Sequence, residues 1–403
     1  MAPPVAESAG IASNDKSNVV PYSVMKLADS KMDVPEKFVK TIGERPTVAY
    51  NDYCKEIPVI SLKGINSSDA DRARIVSEIG LACAEWGIFQ VVDHGISEVS
   101  LKGINSSDAD RARIVSEIGL ACAEWGIFQV VDHGISEELM AKMMANSLEF
   151  FKLPLEEKLK YATKPGGFPV GYASGSHRSD DDILDWRELM VHRTLPSSIR
   201  EQDSNIWPQF PETYREVLAN YSDNVDRLVT SLLGLISESL GLPTDYIKNA
   251  VGGENTEQKI LANYYPQCPQ PDLTLGLRSH TDYGTITILQ QEVGGLQAYK
   301  EDRDLWVTVE PLPAALVVNL GDQIQILSNA KYCSVEHQAV VNSNETRLTL
   351  VVFANPHSLS LIGPAPELLS EENPAKYRTY TFKDYFPICY AKQSKKHYDA
   401  LAI

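Results

Sequence analysis

The sequence predicts an α+β chain: a helical N-terminal part, a β-rich core and a helical C-terminal tail. Three observations carry this. Before residue 250, apolar residues recur at intervals of three and four. From Lys259 onward, short runs rich in Val, Ile, Thr and Leu follow at close spacing, split by Gly, Pro, Asn and Asp. The 403-residue chain is 43% hydrophobic and 23% charged, which is enough apolar material for a real core.

In chain order, residues 1–35 are small, polar and aperiodic and read as a flexible arm. "EIPVISL" (Glu56–Leu62) is a short strand. Then "SLKGINSSDADRARIVSEIGLACAEWGIFQVVDHGISE" runs from Ser61 to Glu98 and again, letter for letter, from Ser100 to Glu137. Each copy holds a Ser/Asp-capped helix, with Ile75, Ile79, Ala82, Cys83 and Trp86 at helical spacing in the first, and a strand "IFQVVDHG". A solenoid needs at least three stacked units and usually shows drifted ones. Two identical copies instead indicate a recent or artefactual duplication. The fold has one place for this helix and strand. The second copy should take it, because only that copy is continuous with the next helix, and much of the first should be a displaced insertion. His94 and His133 are then one structural residue written twice.

That next helix starts at a Ser136 cap, turns Leu139, Met143, Phe150 and Phe151 to one side, and stops at Pro154. "GGFPVGYASGSHRSDDD" (Gly166–Asp182) reads as a long loop or irregular strands, and Asp180–Asp182 with Asp185 as a solvated run. Phe210–Leu240 carries a strong helical period that ends at "GLP". The chain therefore divides into the arm 1–35, an N-terminal region 36–200 that contains the duplication 61–98/100–137, a core with its leading helix at 201–360, and a tail at 361–403. By strand length alone the core is a sandwich or a barrel.

The bulk numbers narrow the function. Net charge is −17 and no Lys/Arg-dense stretch breaks it, so neither nucleic acid nor an anionic membrane surface is an expected partner. The six cysteines are scattered without a CxxC, as free thiols of a reducing compartment are. No run approaches the 18 or so apolar residues of a membrane span. The N-terminus has neither the charge pattern nor the apolar run of a targeting segment. A cytoplasmic monomer is the expectation.

Chemistry concentrates in the β-rich part. "RSHTDYGTITIL" holds His280 and Asp282, two apart, hence on one face if the segment is a strand. His337, in "VEHQAVV", adds a second imidazole. Two His and one carboxylate leave coordination positions open, the facial triad of non-haem Fe(II) oxygenases. A zinc hydrolase can use the same three residue types, but it would not need Arg347, ten residues past the last ligand. Arg347 and Thr349, on "RLTLVVF", set a guanidinium beside a hydroxyl, a seat for a carboxylate. Asn263 and Tyr265 in "NYYPQCP" repeat the i, i+2 placement. His192, His357 and His397 read as structural or solvent-facing.

"NYYPQCPQPDLTLGLRSHTDYGTITILQQEVGGLQ", "VVNLGD", "HQAVVN", "RLTLVVFANP" and the upstream "WGIFQVVDHGI" resemble the plant Fe(II)/2-oxoglutarate-dependent dioxygenases, from about Ile57 to Phe386. Within them the flavonoid branch is most similar: flavanone 3-hydroxylase, flavone synthase I and their relatives. The resemblance implies a double-stranded β-helix (jelly-roll) core. It implies iron on His280, Asp282 and His337, with the distal carboxylate of 2-oxoglutarate on Arg347. Thr349 stands where the family usually has Ser, and Asn263 and Tyr265 would help hold the cosubstrate. It also implies O2 as oxidant and ascorbate as a supporting reductant.

Flavanone 3-hydroxylases commonly have Pro directly after the HTD, where this chain has Tyr283, and the Gly166–Asp182 loop departs from their pattern. The implied reaction is thus of the flavone synthase I or flavanone 2-hydroxylase type. 3-Hydroxylation, or oxidation of another plant metabolite, is the alternative. Family positions suggest Leu189, Val191, Tyr283, Phe353 and Asn355 as substrate contacts, with His177 at the entrance. A non-enzymatic binding module on the same fold would be expected to lose a metal ligand or the arginine, and none is missing.

Overall fold

The structure is a computed structural model describing residues 23–30, 32–47, 59–61, 90–92, 98–163, 170–175, 183–301, 304–385 and 397–403. The described strands before residue 356 are β1 (Val59–Ser61), β2 (Gln90–Val92), β3 (Glu98–Ser100), β4 (Ile127–Val131), β5 (Gly171–Ser174), β6 (Glu188–Leu195), β7 (Glu257–Tyr265), β8 (Leu277–His280), β9 (Ile286–Gln291), β10 (Leu296–Lys300), β11 (Leu305–Thr308), β12 (Leu316–Leu320), β13 (His337–Ala339) and β14 (Arg347–Asn355), and the last twelve build the two sheets of the core. A major sheet of eight runs β3-β4-β12-β9-β14-β7-β6-β5, and a minor sheet of four runs β11-β10-β13-β8. Within the major sheet only the β3–β4 pair is parallel.

The alternation of each strand sends one set of side chains between the sheets and the other outward. Between them, Ile127, Leu289, Val317 and Val351 of the major sheet pack with Leu296, Ala298 and Val307 of the minor one. The outer face of the major sheet buries Ile260, Ala262, Ile288, Val318 and Val352 against a helical layer. Two facing sheets around a shared interior are the jelly roll, and the long helices all precede β7 in sequence.

After α1 (Val24–Asp29), that layer is made by α2 (Asp108–Glu124), α3 (Glu137–Lys152) and α4 (Tyr214–Ser239). Ser107 caps α2 by accepting from the Asp110 N–H, and Ser136 caps α3 by accepting from the Leu139 N–H. The α4 period continues as predicted, although its first turn starts after Pro211, at Tyr214. Gly126 reverses the chain after α2 with φ +65°. A Cβ there would lie 2.2 Å from the Cys333 carbonyl oxygen, so only glycine lets helix and core approach this closely.

The duplicated string behaves unequally. β3 and β4 pair as Glu98↔Gln129, Val99↔Val130 and Ser100↔Val131, and β4 joins the major sheet through β12. One period earlier in sequence, β1 and β2 pair in the same parallel register, Val59↔Gln90 to Ser61↔Val92, but as a separate two-stranded sheet. The second copy thus holds the place in the core. The helix of the first copy and His94 lie outside the described residues.

Three expectations change. The arm is shorter than 1–35: Val24, Val34 and Phe38 are buried, and the Ser23 hydroxyl donates to Glu188 at 2.8 Å. Apolar Val24 and Val34 fill a gap beside Trp186, a signal the polar composition around them masks. The described part of the tail is not mainly helical. It holds an antiparallel pair, Leu361–Ile362 with Tyr380–Thr381, and short 3-10 turns. Pro364, Pro366 and Pro374 remove the amide donors a longer helix would need. Asp185 is buried rather than solvated and pairs with Lys40 at 2.8 Å.

Candidate active site

His280 ends β8 and His337 opens β13, the strand paired with it, His337↔His280. Their rings stand 4.4 Å apart between centroids. Asp282 is not on the strand with His280, as the i, i+2 spacing suggests. It sits in the turn after β8, and that turn swings its carboxylate back toward both imidazoles. Asp282 Oδ1 lies 3.5 Å from His280 Nε2 and 3.8 Å from His337 Nε2. One ligand atom from each residue falls within 4.8 Å of the others, the only such group of three or more His, Cys, Asp or Glu among the described residues.

The surroundings prepare these atoms for a cation. His280 Nδ1 is 2.8 Å from the Arg278 carbonyl oxygen, and His337 Nδ1 is 3.1 Å from that of Val335. A carbonyl only accepts, so each Nδ1 carries the proton and each Nε2 turns a lone pair inward. Asp282 Oδ2 accepts from the Thr287 hydroxyl at 2.6 Å and the Asn319 amide at 2.8 Å, which leaves Oδ1 for the centre. Burial alone would raise the Asp282 carboxyl. The neighbouring His337 and His280, with the Thr287 bond, outweigh it and hold the group well below the ordinary carboxylate range. Burial, reinforced by His280, lowers His337, which favours the neutral imidazole a metal needs. An iron ion fits this set of two nitrogens and one oxygen.

The turn is pinned from behind. Gly321 donates to the Thr285 carbonyl, and Asp322 N–H donates to the Asp282 carbonyl at 2.8 Å. A Cβ on Gly321 would sit 2.2 Å from the Gly284 oxygen, so "NLGD" and "DYG" touch backbone to backbone.

Further into the barrel, β14 sets Arg347 opposite Tyr265 and Thr349 opposite Asn263. Arg347 donates from Nη2 to Gln291 Oε1 at 2.9 Å and from Nε to the Val293 carbonyl at 3.1 Å, with its guanidinium 5.0 Å from the Tyr265 ring centre. These contacts fix the fork of the guanidinium. Thr349 Oγ1 is fully buried with no hydrogen-bond partner in the protein, a cost unless a ligand oxygen answers it. Arg187 Nη1 donates to Asn263 Oδ1 at 2.9 Å. A dicarboxylate with one end on Arg347 and Thr349 fits this end of the barrel.

Cross-strand rungs order the remaining candidates. One rung reads Leu189–Asn263–Thr349–Gln291, the next Val191–Leu261–Val351–Leu289, and the next Arg193–Lys259–Phe353–Thr287–Asn319. Leu189, Val191 and Phe353 thus face the same interior as the triad. Tyr283, adjacent to Asp282, reaches the third rung, with its hydroxyl 3.4 Å from Lys259 Nζ. Asn355 does not join them; it lines a small cavity with Asp226, Val229 and Thr285 beside α4. His177 lies outside the described residues. Of the structural histidines, His192 is buried between the Ile260 carbonyl and the Tyr214 hydroxyl, and half-buried His133 holds the Ala314 carbonyl at 2.9 Å. Thr287, Asn319, Gln291 and Arg187 escaped the sequence reading. Each acts through another side chain, which no local motif announces. Lys259 left a signal, a charge on the inward phase of β7 four residues before Asn263.

Two family models match this chain. The 2OG-Fe(II) oxygenase superfamily model spans residues 256–356, and the model of the non-haem dioxygenase in morphine synthesis N-terminal region matches twice, at 57–106 and 99–210. The chain belongs to the 2-oxoglutarate/Fe(II)-dependent dioxygenases, and it is an enzyme that uses iron and 2-oxoglutarate. It is 41% identical over 346 residues to naringenin,2-oxoglutarate 3-dioxygenase of Matthiola incana, which covers 85% of this chain and 84% of that one. It is 41% identical over 349 residues to flavone synthase of Petroselinum crispum, covering 86% and 83%. Its fold is similar to the crystal structure of JOX2 in complex with 2OG, Fe and JA, with a TM-score of 0.75 at 35% identity, covering 96% of this chain and 100% of that one. No helix among the described residues is long and apolar enough to cross a membrane.

Proposed function

We propose that the enzyme oxidises a flavanone by flavone synthase I or flavanone 2-hydroxylase chemistry. His280, Asp282 and His337 hold the iron, and Arg347 with Thr349, Asn263 and Tyr265 seats 2-oxoglutarate. The observation that carries the choice of reaction is Tyr283, whose side chain reaches from the residue after Asp282 to Lys259 on the iron rung. A ring beside an iron ligand, in the position where a proline would leave room, would change which carbon a planar substrate presents.

Iron, 2-oxoglutarate and O2 together supply the oxidant that removes hydrogen from carbon. The chain's part is to hold and exclude. The Arg278 and Val335 carbonyls keep the Nδ1 protons, so both imidazoles stay aimed. Thr287 and Asn319 stop the Asp282 carboxylate from rotating. Arg347 orients the cosubstrate by a two-donor fork. Leu261, Phe353, Leu289 and Val351 keep the interior apolar.

The test is turnover of naringenin with Fe(II), 2-oxoglutarate and ascorbate. Apigenin or 2-hydroxynaringenin is expected, with succinate formed alongside; dihydrokaempferol as the main product overturns the choice. A second reading, a carboxylic acid such as jasmonic acid, is favoured by the buried cation Lys259 on the third rung and by the likeness to JOX2.

A further inference from the structure

We infer that Lys259 is the specificity residue of this enzyme, and that it reads an acidic oxygen on the end of the substrate away from the iron. The inference rests on the proposed substrate pocket and names the chemistry that pocket selects.

Three features of the third rung carry it. First, one row of the sheet contains both ends of the pocket. Asn319 and Thr287 grip the Asp282 carboxylate, Phe353 lies next to them, and Lys259 lies beyond Phe353. Adjacent strands are about 4.8 Å apart, so Lys259 stands roughly 10 Å across the sheet from Thr287. A rigid substrate laid over Phe353 spans that distance.

Second, Lys259 is buried inside the barrel, 6% exposed, where lysine is rare. Its amine meets the Tyr283 hydroxyl at 3.4 Å and stands 5.9 Å from the Tyr283 ring centre. A phenol and an ammonium side by side offer two donors to one oxygen. Third, the charges around it largely cancel, so the positive charge at the site is that of Lys259 itself. Arg193 is its partner on β6, itself held by Asp203 at 2.6 and 2.9 Å, and Glu257 lies two residues away on β7. Burial brings the amine down to about 8, so an anionic oxygen at the site would restore a fully charged lysine.

The oxygen belongs either to a phenolic hydroxyl of a flavanone or to a carboxylate, and matched pairs of compounds separate the two. One pair is naringenin and unsubstituted flavanone; the other is jasmonic acid and its methyl ester. Binding to the iron- and 2-oxoglutarate-loaded enzyme is measured without oxygen, and KM and kcat with it. Wild type should prefer one acidic member to its neutral partner. In Lys259→Met that preference should shrink at least tenfold, the scale of a lost charge-assisted hydrogen bond, through KM rather than kcat. Lys259→Arg should recover part of it. Equal losses for acidic and neutral partners would mean a merely structural lysine and overturn the inference. So would a wild-type enzyme that treats neither acidic compound better than its partner. Failure to consume any flavanone, with jasmonic acid preferred over its ester, sinks the flavanone reading and leaves this one standing.

Discussion

Deleting Ser61–Val99 removes one period and should yield a more stable enzyme with its turnover intact. The deletion joins Ile60 to Ser100, so the strand that enters the core reads Val59-Ile60-Ser100 in place of Glu98-Val99-Ser100. Ser100 keeps its 2.6 Å bond to Asp132, and Leu101, α2 and β4 are untouched. Ile60 takes the slot of Val99, which is 1% exposed, and adds a methylene worth at most about 0.8 kcal/mol if the slot relaxes to admit it. The chain between Thr47 and Glu98 falls from 50 residues to 11. Closing the shorter connection is favoured by about 1.3 kcal/mol. Among the described residues, what is lost is the β1–β2 pair, and an isolated two-stranded sheet is marginal in water. The net gain is about 1–2 kcal/mol, a rise of about 2 °C in Tm for a domain this large. Scanning fluorimetry beside a succinate-release assay reads both outcomes. A Tm lowered by several degrees, or lost turnover, would show that the first copy supports the core.

Further outcomes concern the site and its supports. Arg347→Lys keeps the charge and loses the fork, so KM for 2-oxoglutarate should rise about tenfold at saturating second substrate. Asn319→Ala removes one of two grips on Asp282 and should weaken iron binding about 10- to 100-fold in a metal titration. Glu188→Ala strands the buried Lys158, 2.7 Å from it, and should cost about 3–5 kcal/mol in urea unfolding; the paired change Lys158→Met with Glu188→Leu should recover most of that. Burial holds His192 down to about 4 against an ordinary value near 6.5. Between those values the unfolded chain takes up the proton first, so stability falls as pH drops from about 6.5 to about 4, by on the order of 3 kcal/mol. A His192→Gln variant should lose that slope in denaturation measured across the range.

The helices and the residues now brought together as a triad were legible because each has a local signature. Ser136 and Pro154 bracket a helix in the letters themselves, and His280 with Asp282 stand close enough to be read as a pair. Arg347 could be placed because Thr349 follows two residues later, on the same face of a strand. The reading failed where partners come from afar. Asp185 sits in a run of acids, and only the fold reveals Lys40 from 145 residues away. Asn355 has the right phase on β14, yet the end of the strand turns it toward α4. The arm misled through composition: a few apolar residues, Val24 and Val34 among them, are enough to dock it when a groove beside Trp186 is waiting.

The triad draws on both sheets. Its two imidazoles belong to neighbouring strands of the minor sheet, while its carboxylate is tethered by side chains of β9 and β12 in the major one. A metal bound there acts as a clasp across the mouth of the barrel. Loading the ion should therefore close the molecule as well as arm it, slowing hydrogen exchange in β8, β9, β12 and β13 together. Chelation should release the protection in the same four strands.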